Sequence, residues 1–122
     1  IMSQYAALKG VRDGLKNNFV SIAEMRDEYD KRRRFLYRSF NAMGLKCFEP
    51  KGAFYVLPSV AETGMTGEEF AEKLLREEKV AVVPGSAFGE SGKYFVRCSY
   101  ATSMKDLKEA VGRIRAFVAR LK

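Results

Sequence analysis

The strongest chemical signal in the sequence is an arginine placed in the middle of an apolar segment. Residues 94–100 read YFVRCSY, so the permanently charged guanidinium of Arg97 is flanked by apolar side chains on both sides. Such a charge is costly to bury unless an anion or a polar cleft meets it. Strand alternation divides the segment into one face with Tyr94, Val96, Cys98 and Tyr100 and another with Phe95, Arg97 and Ser99. Arg97 is therefore predicted to point out of the scaffold at a carboxylate or phosphate, which it can bind bidentately. The alternative is an arginine on a solvated face, paired with a nearby Asp or Glu.

The residue inventory excludes several other chemistries. The chain contains no histidine, which rules out Ser-His-Asp and Cys-His arrangements and imidazole acid–base catalysis within it. Cys47 and Cys98 are far apart and form no CxxC pair, so we expect no metal site and two buried thiols that act as small hydrophobic groups. No lysine stands out as a Schiff-base nucleophile, because those present lie mostly in turns or on polar helix faces. If the protein does covalent chemistry, we therefore expect its nucleophile to lie elsewhere.

Two other motifs receive structural interpretations. The glycine-rich loop 85–93, GSAFGESGK, fails the Walker A pattern, because Ala87 stands where that pattern needs its first glycine and Tyr94 where it needs Ser or Thr. A flexible turn between two strands is the better account. The net charge of +7 and the basic run 31–34 with Arg38 are compatible with a nucleic-acid-binding module. Acidic residues interleave with that run, so a solvated helix face is favoured over the nucleic-acid alternative.

The sequence predicts one domain of α+β class. The chain of 122 residues has no apolar run long enough for a membrane helix and no secretory signal pattern, and its cysteine usage favours the cytoplasm. It opens on IMSQYAAL, which reads as a helix interior, so we expect a piece of a longer protein. Short strands joined by tight turns and one helical crossover indicate a small antiparallel or mixed sheet with helices packed on it.

Periodicity and capping signals predict where the elements lie. The first two expected helices cover residues 3–16 and 20–43, with a break near residue 17. A third helix is expected to begin at the capping box Thr66–Glu69, and a last helix is expected to have Ser103 as its N-cap. The expected strands cover residues 46–49, 53–57, 80–83 and 94–100. The long second helix should bury one stripe, which comprises Ile22, Met25, Tyr29, Leu36, Phe40 and Met43. The third should bury Phe70, Ala71, Leu74 and Leu75, and the last Leu107, Val111, Ile114, Phe117, Val118 and Leu121.

Five stretches, in matching order and separation, resemble one enzyme family. They are SQYAAL at 3–8, MRDEYDKRR at 25–33, PKGAFYVL at 50–57, VVPGSAFG at 82–89 and FVRCSYA at 95–101. The last three are similar to the carboxy-terminal signature blocks of the class I/II aminotransferases, the pyridoxal-phosphate enzymes of the aspartate aminotransferase superfamily. The resemblance spans essentially the whole chain.

The resemblance implies a role for the chain as part of a larger enzyme. Residues 1–122 would be the carboxy-terminal small domain, with residues 1–43 including the end of the interdomain helical region, and the large cofactor-binding domain would lie outside the chain. Arg97 would bind the substrate α-carboxylate, with Phe54 as an aromatic neighbour that could equally serve the core. Pyridoxal 5'-phosphate, its Schiff-base lysine and all other cofactor-binding residues would belong to the large domain, so this piece alone would be inactive.

The same resemblance implies the partners. The parent would be a homodimer acting on amino-acid and 2-oxo-acid substrates, with its small domain closing over them, and no nucleic acid or membrane would be involved. The alternative is a lyase or synthase of the same fold, which would keep the arginine that binds the carboxylate but catalyse a different reaction at the cofactor.

Overall fold

The computed structural model describes residues 1–121, which divide into two compact units, Ile1–Asp30 and the described chain from Lys31 onward. The helices are α1 (Met2–Lys16), α2 (Val20–Ala42), α3 (Gly67–Glu78) and α4 (Met104–Arg120). The strands are β1 (Tyr55–Val56), β2 (Val83–Pro84) and β3 (Val96–Ser99). The unit boundary falls within α2. Four helices with a small antiparallel sheet confirm the predicted α+β class.

The first unit contains α1 and the beginning of α2, joined by a sharp turn. Asn18 and Phe19 both adopt a left-handed backbone conformation with φ of 54°. The Phe19 ring lies so close to Gly14 that a Cβ there would approach its Cε1 to 2.2 Å, so a side chain at this point of α1 would require the ring to move. The predicted break near residue 17 is confirmed.

The predicted buried stripe of α2 is only partly correct. Leu36, Phe40 and Met43 are buried, whereas Ile22 and Met25 are 53% and 54% exposed. Periodicity identifies the face of a helix, but it does not show whether another element covers that face. The prediction is wrong for Ile22 and Met25, because α1, the other element of their unit, leaves them open to solvent.

The sheet has β3 at its centre, with β1 and β2 antiparallel on either side. Tyr55 pairs with Ser99 and Val83 pairs with Arg97. The expected strand at 46–49 is reduced to a single bridge between Cys47 and Pro58. The expected strand at 80–83 is also wrong for most of its length, since only Val83 and the following proline pair with β3.

In the second unit, α3 packs against β2 and β3 of the sheet and against α4. The Thr66–Glu69 capping box of α3 and the Ser103 N-cap of α4 are both present as predicted. Phe70 of α3 and Phe117 of α4 meet edge to face with ring centroids 5.3 Å apart. Leu75 is 50% exposed, against the prediction, because it lies off the face of α3 that carries Phe70 and Leu74. Over residues 1–121, no helix combines the length and apolar character needed to cross a bilayer.

Candidate functional site

Arg97 lies on the central strand, on the face turned away from the core. Its neighbours Val96 and Cys98 are 1% and 8% exposed, and Tyr100 is 1% exposed, while Arg97 itself is half-buried. Predicted alternation therefore holds over residues 96–100. It fails at Tyr94, which precedes β3 and is 46% exposed.

Two aromatic rings flank the guanidinium of Arg97. Its Cζ lies 4.5 Å from the ring centroid of Phe88 and 5.3 Å from that of Tyr55, both within cation–π range. No carboxylate among residues 1–121 pairs with Arg97, in contrast to Arg33, Arg76, Arg113 and Arg120. The alternative of an arginine neutralised by a nearby Asp or Glu is thus wrong for the described chain. Because no side-chain nitrogen there is buried without a partner, the N–H groups of Arg97 reach solvent.

The register of the sheet brings Tyr55 to Arg97. Tyr55 pairs with Ser99, and paired residues of antiparallel strands project from the same face, so Tyr55 and Arg97 lie diagonally across that face. Val56 pairs with Cys98 on the opposite face, where both are buried. The Tyr100 amide donates to the Phe54 carbonyl oxygen at 2.8 Å, which extends the pairing one residue beyond β1.

Phe54, the aromatic neighbour predicted for Arg97, lies beside Tyr55. Its side chain is 52% exposed, and its ring meets the Tyr55 ring edge to face at 5.4 Å. The rings over the guanidinium belong to Tyr55 and Phe88. A contact between Phe54 and substrate stays a prediction.

Phe88 was not singled out by the sequence, and it reaches Arg97 through the loop between β2 and β3. That loop forms two 3-10 turns, Gly85–Phe88 and Glu90–Gly92. The backbones of Gly85 and Gly92 touch, since a Cβ on Gly92 would lie 2.1 Å from the Gly85 carbonyl oxygen. The loop links β2 to β3 as predicted, through two short turns whose backbones are in contact. Phe88 could be seen in the sequence among the glycines of this loop, but its distance from Arg97 could not be predicted from it.

Arg97 forms part of the wall of a cleft of about 620 Å³. Most of the cleft wall is apolar, and the described residues that line it include one cation, Arg97, and one acid, Glu49. The remaining lining comes from β1, from the segments on either side of it and from the loop between β2 and β3, and comprises Phe48, Pro50, Gly52, Tyr55, Val56, Leu57, Gly85, Phe88, Ser91, Gly92 and Phe95. An unpaired guanidinium in an apolar cleft suits a ligand that carries a carboxylate or phosphate.

Glu49, the acid of the cleft, is already engaged by two cations. Its carboxylate accepts from Lys51 Nζ at 2.7 Å and from Arg33 Nη1 at 2.9 Å. The hydrogen bonds from Lys51 and Arg33 lower the pKa of Glu49 to about 2. The other members of the basic run, Lys31, Arg32 and Arg34, also have partners in the described chain. No observation on these side chains favours nucleic-acid binding.

The two cysteines are structural. Both are buried and unpaired with each other, and burial, with a smaller contribution from Cys47, raises the pKa of Cys98 to about 12. Cys47 pairs with Pro58, and the β1–β3 register places Cys98 one strand further on, so their Cα atoms are separated by roughly 10 Å across two strand spacings. That separation is too long for a disulfide. In the described part of the chain, no cluster of three or more His, Cys, Asp or Glu side chains could hold a metal ion.

Comparison with known proteins identifies relatives over nearly the whole chain. The model of the family described as aminotransferase class I and II matches residues 1–114. The chain is 50% identical over 111 residues to an aspartate aminotransferase of Pyrococcus abyssi, covering 91% of this chain and 28% of that protein. It is 47% identical over 111 residues to aromatic-amino-acid aminotransferase 2 of Thermococcus litoralis, again with 91% and 28% covered.

Solved structures show the same relationship. The crystal structure of an aromatic aminotransferase from Pyrococcus horikoshii OT3 superposes with a TM-score of 0.91 at 45% identity, covering 98% of this chain and 32% of that one. The chain thus spans less than a third of the length of these relatives. A family model that matches residues 1–114, together with this identity and structural agreement, shows that the chain belongs to the aminotransferase class I and II family.

Proposed function

We propose that this chain is the small domain of a pyridoxal-phosphate-dependent aminotransferase and that Arg97 binds the α-carboxylate of its amino-acid and 2-oxo-acid substrates. The observation that carries the proposal is the environment of the Arg97 side chain. It lies on the wall of an apolar cleft with two aromatic rings beside it and no carboxylate partner in residues 1–121.

Arg97 would act by orientation. A planar guanidinium can donate two parallel hydrogen bonds to a carboxylate, which fixes both the position and the rotation of the substrate. Transamination breaks a bond at the carbon that carries this carboxylate, so a fixed orientation lowers the entropy cost of reaching the reactive geometry. Closure of the domain over a bound substrate would exclude water from this apolar lining and strengthen the charge interaction.

The described residues of the cleft do not form a site for pyridoxal phosphate. They include no lysine that could condense with its aldehyde, and Arg97 is the single cation available for its phosphate. Pyridoxal phosphate supplies the electron sink that amino-group transfer needs. We place its lysine and its phosphate contacts in a large domain outside this chain, as the family implies.

The proposal extends to movement and assembly. Arg97 lies on the central strand, and the residues next to it on that strand are in the core. A carboxylate bound to Arg97 would therefore be connected to the whole unit that contains α3 and α4. Substrate binding would then favour closure of this domain over the cofactor. The parent enzyme would be a homodimer, as the family implies.

The test uses the full-length protein with Arg97→Ala and Arg97→Lys. Since each charge-assisted hydrogen bond contributes about 1.5–3 kcal/mol, loss of two should lower kcat/KM for the amino acid by about 10²- to 10⁴-fold. Lysine should restore only part of this, because one ammonium cannot reproduce the bidentate geometry. Arg115→Ala, an exposed arginine of α4 outside the cleft, is the matched control.

Two readouts decide the proposal. A folded Arg97→Ala enzyme with wild-type kcat/KM would contradict the role of Arg97. Release of the 2-oxo acid together with amination of a second 2-oxo acid supports transamination, whereas release of ammonia would indicate a lyase on the same scaffold.

A further inference from the structure

We propose that Phe88 is a positioning residue for Arg97: its ring holds the guanidinium in place by a cation–π contact and leaves the N–H groups free for the substrate carboxylate. This inference rests on the proposed function of Arg97. It assigns a role to a residue of the loop between β2 and β3 that the sequence motifs did not single out.

The distances show that Phe88 is the nearer of the two rings at Arg97. The guanidinium Cζ is 4.5 Å from the Phe88 centroid and 5.3 Å from the Tyr55 centroid. Phe88 is 59% exposed and therefore does not serve as a core residue. Among the described residues, the charged group in contact with the Phe88 ring is Arg97.

The chemistry of an aromatic ring suits this task better than that of a carboxylate. An aspartate or glutamate beside Arg97 would orient it but would also occupy its N–H donors and neutralise the charge that attracts the substrate. A ring attracts the cation through its quadrupole and accepts none of the in-plane hydrogen bonds. Arg97 can thus be oriented before substrate arrives and still present its full set of donors.

The loop holds Phe88 at a fixed distance from β3. The Gly85 amide donates to the Phe95 carbonyl oxygen at 2.8 Å, and the Phe95 amide donates to the Gly92 carbonyl oxygen at 2.9 Å. Phe95 is two residues before Arg97, so both ends of the loop are fixed to the start of the arginine strand.

A side-chain contact fixes the loop on its other side. The Ser86 hydroxyl donates to Glu68 Oε1 of α3 at 2.8 Å, which anchors the turn that carries Phe88 to the helix. A rigid support of this kind lets one ring restrict the rotamers of a long, flexible arginine side chain. Phe88 therefore has the placement that a positioning residue requires.

The experiment compares four variants of the full-length holoenzyme: Phe88→Leu, Phe88→Tyr, Arg97→Ala and Tyr94→Leu. Two quantities are measured for each, the KM for the amino acid and the inhibition constant of propionate, a competitor that offers a carboxylate and no amino group. Phe88→Leu keeps apolar bulk without the ring and should raise both constants about three- to tenfold, with kcat changed far less. Phe88→Tyr keeps the ring and should recover most of the affinity that Phe88→Leu loses.

Tyr94→Leu removes an exposed ring outside the cleft and should leave both constants unchanged. If Arg97→Ala leaves propionate inhibition unchanged, the proposed function fails and this inference fails with it. If Arg97→Ala weakens inhibition but Phe88→Leu matches wild type, only the inference is overturned. Equal losses in Phe88→Leu and Phe88→Tyr would also overturn it, because the ring would then have no special part.

A series of fluorinated phenylalanines at position 88 covers the case in which Phe88→Leu fails to fold. Fluorine withdraws charge from the ring face while nearly preserving its shape, so carboxylate affinity should fall stepwise with each added fluorine. A flat series in a folded enzyme would contradict the cation–π role.

Discussion

The hydroxyl of Tyr100 donates a hydrogen bond to the carbonyl oxygen of Ala53 across 2.8 Å. This bond connects the end of the arginine strand to the residue two positions before Tyr55. Ala53 has a φ of 61°, a left-handed conformation that costs an L-residue roughly 1–2 kcal/mol. The bond from Tyr100, together with its backbone bond to Phe54, holds the turn that delivers Tyr55 to Arg97.

Tyr100→Phe should therefore lower the free energy of unfolding by about 1–2 kcal/mol, since it leaves the Ala53 carbonyl without this donor. Tyr100 is 1% exposed, so the cost is not relieved by water at the hydroxyl position. Urea unfolding followed by circular dichroism measures the change. Tyr94→Phe, at an exposed position, should stay within about 0.5 kcal/mol of wild type; equal effects of the two variants would refute the structural role of this bond.

Gly92→Ala and Gly112→Ala should change stability in opposite directions. A Cβ at Gly92 would lie 2.1 Å from the Gly85 carbonyl oxygen, so the two arms of the loop must separate, at a cost of at least about 1–3 kcal/mol. A Cβ at Gly112, within α4, meets nothing within 4 Å, and alanine there should stabilise the helix by about 1 kcal/mol. Thermal unfolding of both variants checks the pair, and a Gly92→Ala protein as stable as wild type would be incompatible with the close loop contact.

The direction in which the Arg97 side chain points could be predicted from the sequence because it follows from local properties. A charge in an apolar strand segment and a period of two indicate which way the side chain points, and the structure confirms this for residues 96–100. The identity of its aromatic neighbours could not be predicted in the same way. Tyr55 reaches Arg97 through the β1–β3 register, and Phe88 reaches it through the Gly85–Gly92 contact, both of which are tertiary features.

The helices show the same division between local and tertiary information. The Thr66–Glu69 capping box and the Ser103 cap depend on residues within one turn, and both were predictable. The exposure of Ile22 and Met25 depends on what covers a face, which periodicity does not contain. The strand predicted at 80–83 failed for a related reason: an apolar run becomes a strand only where a neighbour pairs with it.

The buried thiol of Cys98 should reduce stability at alkaline pH. Its pKa is about 12 in the folded chain because burial disfavours the thiolate, against about 8.5 when unfolded. The folded state thus keeps a proton that the unfolded state loses, so the stabilisation is complete below pH about 8.5 and declines as pH rises toward 12, by up to about 1.4 kcal/mol per pH unit.

Subtraction of a Cys98→Ala variant isolates this effect from the titration of lysines and tyrosines. The difference in unfolding free energy between wild type and Cys98→Ala should shrink or reverse between pH 9 and 11, a window inside the interval from about 8.5 to about 12. Parallel pH profiles of the two proteins would show that Cys98 ionises as easily in the folded chain as in the unfolded one.

This chain alone should neither bind pyridoxal phosphate at one site nor catalyse transamination. Covalent capture of the aldehyde needs a neutral amine in a desolvated pocket, and the described lining of the cleft offers no lysine. Titration with pyridoxal phosphate, borohydride reduction and peptide mapping should therefore give weak labelling spread over exposed lysines, without saturation at one equivalent. The full-length protein, treated identically, should saturate at one equivalent on a single lysine outside residues 1–122. Saturable labelling of one lysine within this chain would contradict the placement of the cofactor site in another domain.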